Sequence, residues 1–514
     1  MSLNVFYSLL NRRKICYFVI SFNKIVLSMS SIIRQLEPHS LWNYFAEINA
    51  IPRASKKEER IIAHMLEFGK KLGLETFKDA VGNVIIRKPA TLGMENRTAV
   101  ILQSHLDMVH QKNNDTDFDF DTQGIEMYTD GDWVRAKGTT LGADNGIGVA
   151  TIMAILSASD IEHPAIEALF TIDEETGMTG ALGLQGGVLQ GQILLNLDTE
   201  EDDEIDIGCA GGMDVTAERT YAYETLPDLL AFRGFQITVK GLQGGHSGID
   251  IHLGRGNANK IMNRLLYNPN TSVRLASFEG GSLRNAIPRE SNAVIAVASA
   301  DIPAFEEHFN KLVKDIKEEF VTVEPNLTID IATTQTPEQV MVTHDQQSIL
   351  NAVYAAHNGV FRMSPDIADL VEASNNVARI DIKTGKARIL CLTRSSVESS
   401  KTDVAQSLKA AFELAGFNVT FSGEYPGWTP NIHSPILQVL SDIYVKMHGE
   451  NAKVVACHAG LECGILGRNY PGMDMISYGP TIKGAHSPDE RVSIASVVKF
   501  WKYTLEILKQ IPEK

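Results

Sequence analysis

The stretch "EALFTIDEETG", residues 167–177, places two adjacent glutamates, Glu174 and Glu175, directly after an apolar run. A short apolar run of this kind predicts a buried strand, which here would leave the core just before the acidic pair. Neighbouring carboxylates repel each other and lose solvation when they are buried. The pattern therefore predicts a positively charged partner at the end of this strand.

Similar apolar runs recur along the chain and alternate with amphipathic stretches such as "EERIIAHMLEFGKKLGL"; they include "NVIIRK", "TAVILQS" and "QILLNLD". This alternation predicts an α/β fold in which helices cover a mixed, mostly parallel sheet. Ligands of such folds bind at the carboxyl ends of the strands. We expect the functional site there, because the polar clusters of this sequence follow those ends.

The pattern changes after about residue 212. The segments "AFRGFQITVKGLQ", "GRGNANKIMNRLLY" and "NAVIAVAS" are followed later by the similar set "KARILCLTRSS", "TDVAQSLKAAFELAG" and "NVTFSGEY". Each set combines strand and helix patterns. We predict that residues 29–212 and 426–514 form a catalytic domain. An inserted α+β lid or dimerisation-type domain of two related halves would occupy residues 213–425.

Residues 1–28 contain "NRRKICYFVISF", which places basic residues before a short apolar run, as signal peptides do. The run is too short to span a bilayer, and Asn23 and Lys24 interrupt it. Met29 then opens "MSSIIRQLEPHSLWNYFAEI", which has the character of a natural start. We predict an N-terminal extension, disordered or upstream of the true start, and not an export signal.

The composition excludes several classes of partner. The chain of 514 residues has 47 basic and 63 acidic residues and a formal net charge of −16, which disfavours nucleic acid and anionic membrane surfaces. Its five cysteines form no CxxC pair, so neither a disulfide framework nor a thiolate zinc site is indicated. These features favour a protein of the reducing cytoplasm.

The strand "TAVILQS" runs into "HLDMVH", which contains His105 and Asp107. Alternate strand residues point the same way, so the two side chains are expected to share a face. A carboxylate there can accept the proton of one imidazole nitrogen and leave the other nitrogen free for a metal. Taken alone, the motif fits a solvated histidine at a polar strand end better.

Other candidate ligands follow further strands. Asp144 lies in the glycine-rich "TTLGADNGIGVATIMAIL", Asp198 ends "QILLNLD", and His486 lies in "GAHSPDE". Singly, Asp144 also fits a helix N-cap and Asp198 a turn. Together with Glu174 and Glu175, however, these motifs supply two imidazoles and four carboxylates. Such a set suits two divalent metals of the zinc, manganese or cobalt type.

The ordered motifs "HLDMV", "GADNGIG", "DEETGMTGA", "LLNLD" and "GAHSPDE" resemble the M20 family of di-zinc peptidases. The segments "KGLQGGHSGIDIHLGRGNANK", "GGSLRNAIPRE" and "CHAGLECG" are similar to the cytosolic aminoacyl-histidine dipeptidase branch of that family. The resemblance runs from about residue 31 to the C-terminus. It leaves only the N-terminal extension outside.

The resemblance implies a role for each candidate. Asp144 would bridge two metal ions, expected to be zinc with cobalt or manganese as alternatives, and would be followed by a cis peptide bond. The implied ligands of the two metals are His105 and Asp198 for one, and Glu175 and His486 for the other. Glu174 would act as general base and acid, and Asp107 would assist catalysis beside its histidine. Strand alternation also predicts that only one residue of the glutamate pair is a ligand.

Three residues of the inserted domain complete the implied site. His246 in "GGHSG" is similar to the family histidine that stabilises the oxyanion, although the motif alone fits an exposed turn better. Asn285 in "NAIP" and Arg394 in "LTRSS" resemble substrate contacts. The arginine would bind a substrate carboxylate, whereas an arginine at a strand end is by default a solvated surface residue.

The sequence thus predicts a cytoplasmic di-metal dipeptidase that hydrolyses unblocked dipeptides, including Xaa-His. Its partners would be small peptides, and the chain would be a monomer or homodimer, with His246 acting in its own chain or in a second one. The alternatives are an M20-type tripeptidase, an N-acyl amino acid hydrolase and a metal-binding scaffold without catalysis. Serine hydrolysis lacks support because "GGHSG" does not match the G-x-S-x-G spacing.

Overall fold

The computed structural model of the protein describes residues 32–267 and 273–514, so the predicted extension at residues 1–28 lies outside the described residues. The strands are, in chain order, β1 (Glu75–Lys78), β2 (Val84–Lys88), β3 (Val100–His105), β4 (Met127–Asp130), β5 (Trp133–Ala136), β6 (Ile166–Thr171), β7 (Ile193–Asn196), β8 (Glu204–Cys209), β9 (Gly211–Thr220), β10 (Tyr223–Thr225), β11 (Phe232–Lys240), β12 (Val273–Gly280), β13 (Ser291–Ala298), β14 (Thr328–Thr334), β15 (Gln339–Met341), β16 (Gly359–Met363), β17 (Val371–Lys383), β18 (Lys386–Ser395), β19 (Asn418–Tyr425), β20 (Lys453–Cys457), β21 (Asp474–Ser477), β22 (Ile482–Lys483) and β23 (Arg491–Ser493). The α-helices are α1 (His39–Ile48), α2 (Glu59–Lys71), α3 (Ala143–Ser157), α4 (Glu174–Gly177), α5 (Thr179–Gly183), α6 (Ala258–Leu266), α7 (Ile302–Phe320), α8 (Thr343–Ala355), α9 (Glu398–Leu414), α10 (Pro435–His448), α11 (Glu462–Asn469) and α12 (Ile494–Gln510).

The chain divides into two units. Among the described residues, unit 1 contains those up to Ile207 together with Asn431–Val455 and Ile465–Lys514, and unit 2 contains those of Gly208–Pro430 and Ala456–Gly464. The residues of the last segment, 456–464, were predicted to belong to the catalytic domain and lie in unit 2 instead. The functional division into a catalytic domain and a lid stays a prediction.

Unit 1 contains a mixed sheet with the strand order β1-β2-β6-β3-β7-β21-β8-β20. Its centre is parallel from β6 through β3 and β7 to β21, and its flanks include antiparallel pairs. Every residue of β3, β6 and β7 is buried, which is why these strands read as unbroken apolar runs. The predicted α/β fold with a mixed sheet is confirmed, and the parallel pairs β6-β3, β3-β7 and β7-β21 lie at the centre of that sheet.

Helix α3 is the central helix of unit 1 and packs against β3 and α1. It is buried along nearly its whole length and is apolar on all sides, as helices enclosed in a protein interior are. Helices α10 and α12 also pack together, and a serine caps each of them through its side-chain hydroxyl. Across the described residues, no helix is both long enough and apolar enough to cross a membrane.

Unit 2 contains a sheet with the order β14-β11-β13-β12-β17-β18-β9-β19, in which β16 also pairs with β17. Helices α6 and α9 pack on this sheet. Strand β11 shows the resulting alternation, because Phe235, Ile237 and Val239 are buried whereas Gln236 and Lys240 are exposed. The α+β character predicted for this part of the chain is confirmed.

The sheet of unit 2 is a structural repeat. One half runs β11-α6-β12-β13-α7-β14 and the other runs β9-α8-β17-β18-α9-β19, so both follow the ferredoxin-like βαββαβ order. In each half the spatial order is fourth, first, third and second strand, and the two second strands, β12 and β17, pair antiparallel. In sequence, the second half begins with β9. The whole first half follows, and the second half then continues from α8.

Candidate metal and catalytic centre

Strand register brings the candidate ligands of unit 1 to one edge of the sheet. His105, the last residue of β3, pairs with Thr171, the last residue of β6. On its other side β3 pairs with β7, and Gln103 lies opposite Asn196. Continued by two residues, that register puts Asp198 level with His105. Parallel strands thus deliver their following polar residues to the same place.

Asp107 and His105 are neighbours, as the sequence predicted, although Asp107 lies beyond the end of the strand. The Asp107 Oδ1 atom lies 3.4 Å from His105 Nδ1. The other ring nitrogen, Nε2, lies 3.0 Å from Asp144 Oδ1 and 3.4 Å from Asp198 Oδ1. The imidazole therefore has one nitrogen beside its orienting carboxylate and the other beside two candidate ligands.

Glu174 and Glu175 do not continue the strand, so strand alternation does not apply to them, and the assignment of Glu175 alone as a ligand stays a prediction. Strand β6 ends at Thr171, and the glutamates begin the short helix α4. Asp107 explains this change, because its carboxylate accepts the backbone N–H of Glu174 at 3.0 Å and of Glu175 at 3.3 Å. One carboxylate thus orients the histidine and caps the turn that carries both glutamates.

Both glutamates face the same centre. Donor atoms of His105, Glu174 and Glu175 lie within 4.8 Å of one another. The Glu175 side chain is 3% exposed, and its Oε2 atom lies 3.0 Å from His486 Nε2. Its Oε1 atom is buried and has no hydrogen-bond partner among the described residues. Such a buried carboxylate oxygen is suited to a cation.

Asp144 lies between the two histidines. Its Oδ1 atom faces His105, and its Oδ2 atom lies 3.2 Å from His486 Nε2. The N-cap position of α3 is occupied by Gly142, so Asp144 does not have the simple capping role that its position also allowed. The peptide bond between Asp144 and Asn145 is cis, as the resemblance led us to expect.

These residues fit a pair of divalent metal ions. Donor atoms of His105, Asp144 and Asp198 lie within 4.8 Å of one another, and so do donor atoms of Asp144, Glu175 and His486. Each group combines one imidazole with two carboxylates, a donor set that zinc accepts. The two groups share Asp144, which has one oxygen directed to each.

The carboxylates of the site favour the protonated form of both histidines in the metal-free protein. Hydrogen bonds to Asp144 and Glu175 raise the pKa of His486 to about 11. Burial by itself would lower the pKa of His105, but Asp198 and its neighbouring carboxylates raise it well above its usual value. Metal binding must therefore displace protons. The positive partner predicted for the glutamate pair is an imidazolium here and would be a metal in the loaded protein.

Asn145 is a site residue that the sequence reasoning missed. Its Nδ2 group donates to the Leu197 carbonyl at 3.0 Å and to Asp198 Oδ1. Gly148 permits this arrangement, because a Cβ atom at that position would collide with Asn145 Oδ1 and Ser104 Oγ. The glycines of "GADNGIG" were the sequence signal for this close packing. In the sequence alone they indicated only backbone freedom.

A second cluster lies in unit 2 around His246, which is half-buried in the loop after β11. Its Nδ1 atom accepts the backbone N–H of Gly248 at 3.3 Å and of Ile249 at 3.0 Å. The neutral ring therefore carries its proton on Nε2. Arg394 Nη2 lies 3.4 Å from that atom, so two donors converge.

Arg394 is not a surface residue, in contrast to the default expectation for an arginine at a strand end. It is 5% exposed, and Nη1 donates to Tyr425 Oη at 2.7 Å. Within the described part of the chain, its buried Nε group has no hydrogen-bond partner. Asn285 is exposed, and its backbone carbonyl accepts the N–H of Ser247, the residue after His246. All three predicted residues thus lie in unit 2.

Known proteins resemble this chain over most of its length. It is 44% identical over 486 residues to the cytosol non-specific dipeptidase of Escherichia coli (strain K12), which covers 94% of this chain and 100% of that protein. The crystal structure of aminoacylhistidine dipeptidase from Vibrio alginolyticus matches with a TM-score of 0.88 and 46% identity, over 94% of this chain and 98% of that one.

A more distant structure shares the fold alone. The aminopeptidase PepT from Bacillus cereus matches with a TM-score of 0.55 and 16% identity, over 93% of this chain and 99% of that one. The sequence pattern of peptidase family M20/M25/M40 matches residues 101–510. That span includes every candidate ligand. The chain belongs to peptidase family M20/M25/M40.

Proposed function

We propose that the protein is a di-metal dipeptidase of the cytoplasm that hydrolyses unblocked dipeptides, including Xaa-His. The observation that carries the proposal is the pair of ligand groups that share Asp144, with Glu174 beside them. The two close relatives support it, since one is a cytosol non-specific dipeptidase and the other an aminoacylhistidine dipeptidase. Neither tripeptide cleavage nor N-acyl amino acid hydrolysis has support from these two proteins.

We propose that His105, Asp144 and Asp198 hold one metal ion, and that Asp144, Glu175 and His486 hold the other. Zinc is the proposed metal, with cobalt or manganese as substitutes that accept the same donors. When bound, such a pair supplies Lewis acidity toward the peptide carbonyl and lowers the pKa of a water molecule. The protein contributes the fixed positions of the five side chains.

Glu174 is the proposed general base and acid. Its backbone is held by Asp107, and its carboxylate belongs to the same group of donor atoms as His105 and Glu175. It would take a proton from the attacking water and pass it to the leaving amine. Asp107 serves this chemistry indirectly, because it orients His105 and caps the turn on which Glu174 stands.

His246 is the proposed oxyanion donor. Its support is the protonation of Nε2, which follows from the two backbone N–H groups that donate to Nδ1. A donor of this kind stabilises the negative oxygen that forms when water adds to the carbonyl. Because His246 and Arg394 belong to different halves of the same unit, a single chain supplies both donors.

Arg394 is the proposed partner of the substrate carboxylate, and Asn285 the proposed second contact. Arg394 is buried, and its orientation is held by Tyr425, which prepares the guanidinium for an anion. Its Nε group has no hydrogen-bond partner among the described residues, which leaves one further donor for that anion. A free C-terminal carboxylate is the anion that every unblocked dipeptide offers.

A substrate panel tests the function. Protein loaded with Zn²⁺, Co²⁺ or Mn²⁺ would be assayed with free dipeptides, Xaa-His, tripeptides and N-acyl amino acids, and metal-free protein would serve as the control. We expect free dipeptides to be the best substrates. Preferential hydrolysis of tripeptides or acylated amino acids would overturn the dipeptidase proposal, and Glu174→Gln would show that any activity belongs to this site.

A further inference from the structure

Two buried charged side chains of unit 1 have no role in the proposed chemistry. Arg53 and Glu490 are each 2% exposed. Burying an ion is unfavourable unless hydrogen bonds and an opposite charge compensate it. Both side chains bind the loop at residues 141–144, which ends in the bridging carboxylate Asp144.

Glu490 accepts four consecutive backbone N–H groups of this loop. Its Oε2 atom accepts from Leu141 at 2.6 Å and Gly142 at 2.9 Å, and its Oε1 atom accepts from Ala143 at 2.8 Å and Asp144 at 3.3 Å. Two oxygens therefore satisfy four donors. Only a carboxylate offers enough lone pairs in this geometry.

The loop needs this distant carboxylate because it cannot cap its own helix. The first N–H groups of an α-helix lack intrahelical partners, and the side chain of the N-cap residue usually accepts one of them. Gly142 occupies the N-cap of α3 and has no side chain. The Asp144 carboxylate is directed to the two histidines instead. Glu490 supplies the missing acceptors and leaves Asp144 available.

Arg53 binds the same loop from its carbonyl side. Its Nη2 group donates to the Gly142 carbonyl at 2.5 Å and to Asn49 Oδ1 at 3.1 Å. Its Nη1 group donates to the carbonyls of Leu106 at 3.1 Å and Asp107 at 3.0 Å. One guanidinium thus joins the segment that follows His105 to the segment that carries Asp144.

We propose that Arg53 and Glu490 are positioning residues that hold the Asp144 loop in its metal-binding shape before any metal arrives. This inference rests on the proposed function only in taking Asp144 as the bridging ligand. A loop already in place loses little conformational freedom when metal binds, so the clamp raises metal affinity. It acts through the backbone and touches no substrate.

The test variant is Glu490→Gln, which keeps the shape but places an amide NH₂ against two backbone donors. Amide hydrogen exchange of residues 141–144 is measured in the metal-free protein, and Zn²⁺ affinity is measured by competition with a chelating dye. We expect faster exchange in the loop and roughly 10–100-fold weaker Zn²⁺ binding. Wild-type exchange and affinity would overturn the proposal.

Glu167→Gln is the matched control. Glu167 is also a buried carboxylate of unit 1 that accepts two backbone N–H groups, those of Gln190 and Gly191, and pairs with an arginine, Arg87. It lies near the start of β6, away from the strand end that leads to the ligands. We expect Glu167→Gln to leave Zn²⁺ affinity at the wild-type value. An equal loss of affinity in both variants would reduce Glu490 to a general stability role.

Arg53→Lys decides the question if Glu490→Gln fails to fold. Lysine keeps the charge but lacks the planar fork that binds four carbonyl or amide oxygens. Weaker Zn²⁺ binding with a native circular dichroism spectrum would support the clamp, and wild-type binding would overturn it. Neither measurement uses a peptide, so a protein that binds Zn²⁺ as expected but hydrolyses no dipeptide would reject the proposed function alone.

Discussion

His486 of unit 1 and His458 of unit 2 have opposite electrostatic surroundings. The carboxylates of Asp144 and Glu175 raise the pKa of His486 to about 11. Burial, together with the nearby Arg394 and His246, lowers the pKa of His458 to about 3. One imidazole is stabilised with a proton and the other without one. Carboxylates therefore dominate the surroundings of the first histidine, whereas burial and neighbouring positive groups dominate those of the second.

The difference shows how each cluster is suited to its proposed ligand. Unit 1 gathers carboxylates at the ends of parallel strands, so positive charge must enter to balance them. Unit 2 places Arg394 and the protonated Nε2 of His246 within 3.4 Å of each other, so a negative oxygen would satisfy both. We propose metal binding for the first arrangement, and binding of a substrate carboxylate or oxyanion for the second.

The largest effects are expected for substitutions in the glutamate pair, which test the proposed metal site of unit 1. Glu174→Gln keeps the shape of the side chain but cannot carry a proton, so we expect turnover to fall by up to about 10⁴-fold with metal content unchanged. Glu175→Gln should instead lower metal occupancy, because it removes a proposed ligand. Metal analysis and steady-state kinetics on both variants check this, and the reversed pattern would exchange the two roles.

The next largest effect is expected at His246. Replacement by alanine removes an oxyanion donor that acts mainly in the transition state, so kcat should fall about 10²–10³-fold with little change in KM. Metal content serves as the control, since His246 belongs to unit 2 and not to either ligand group. An unchanged kcat would reduce His246 to a turn residue.

A substitution of Arg394 tests the proposed binding of a substrate carboxylate in unit 2. Arg394→Lys should raise KM for free dipeptides by roughly 10–100-fold, since it replaces charge-assisted hydrogen bonds from a planar fork by a point charge. A dipeptide amide lacks the C-terminal carboxylate and should be affected far less by the same substitution. Equal losses for the acid and the amide would remove Arg394 from carboxylate recognition.

The lowered pKa of His458 predicts that the stability of the protein decreases at acidic pH. The folded protein keeps this ring neutral down to about pH 3, whereas the unfolded chain protonates it near pH 6.5. The unfolded state therefore binds more protons between these values, and stability falls as pH decreases through that window. Urea unfolding of wild type and His458→Asn at pH 7 and pH 5 should show the wild type losing about 2 kcal/mol relative to the variant. Parallel losses would place the titration elsewhere.

Removal of residues 1–28 should have the smallest effect. Every proposed ligand and catalytic residue lies later in the chain, as do both units' described elements. We expect the truncated protein to fold and to hydrolyse dipeptides at the full rate, measured beside the complete chain. A loss of folding or of activity would show that this segment contributes to one of the two units.

Local sequence pattern was sufficient for most of the fold. The apolar runs predicted β2, β3, β6 and β7 because strands buried on both faces must be apolar throughout. The two related halves of unit 2 were visible in repeated strand and helix patterns. Strand β9 was not assigned to its half, since the chain inserts the entire first half between β9 and α8. Pairing between such distant segments leaves no local signal.

The sequence by itself predicted the chemistry of the site, because its ordered motifs together supply a set of metal ligands and resemble the M20 family, although each motif taken singly also fitted a structural role. Only the tertiary structure decided how these residues meet. The register of β3 against β6 and β7 sets their common level. Asp107 turns the glutamate pair into a helical turn, and Glu490 caps a helix that begins about 350 residues earlier in the chain. Hydrogen bonds between residues so far apart in sequence form only when the backbone is packed. The spacing of residues in the sequence does not predict them.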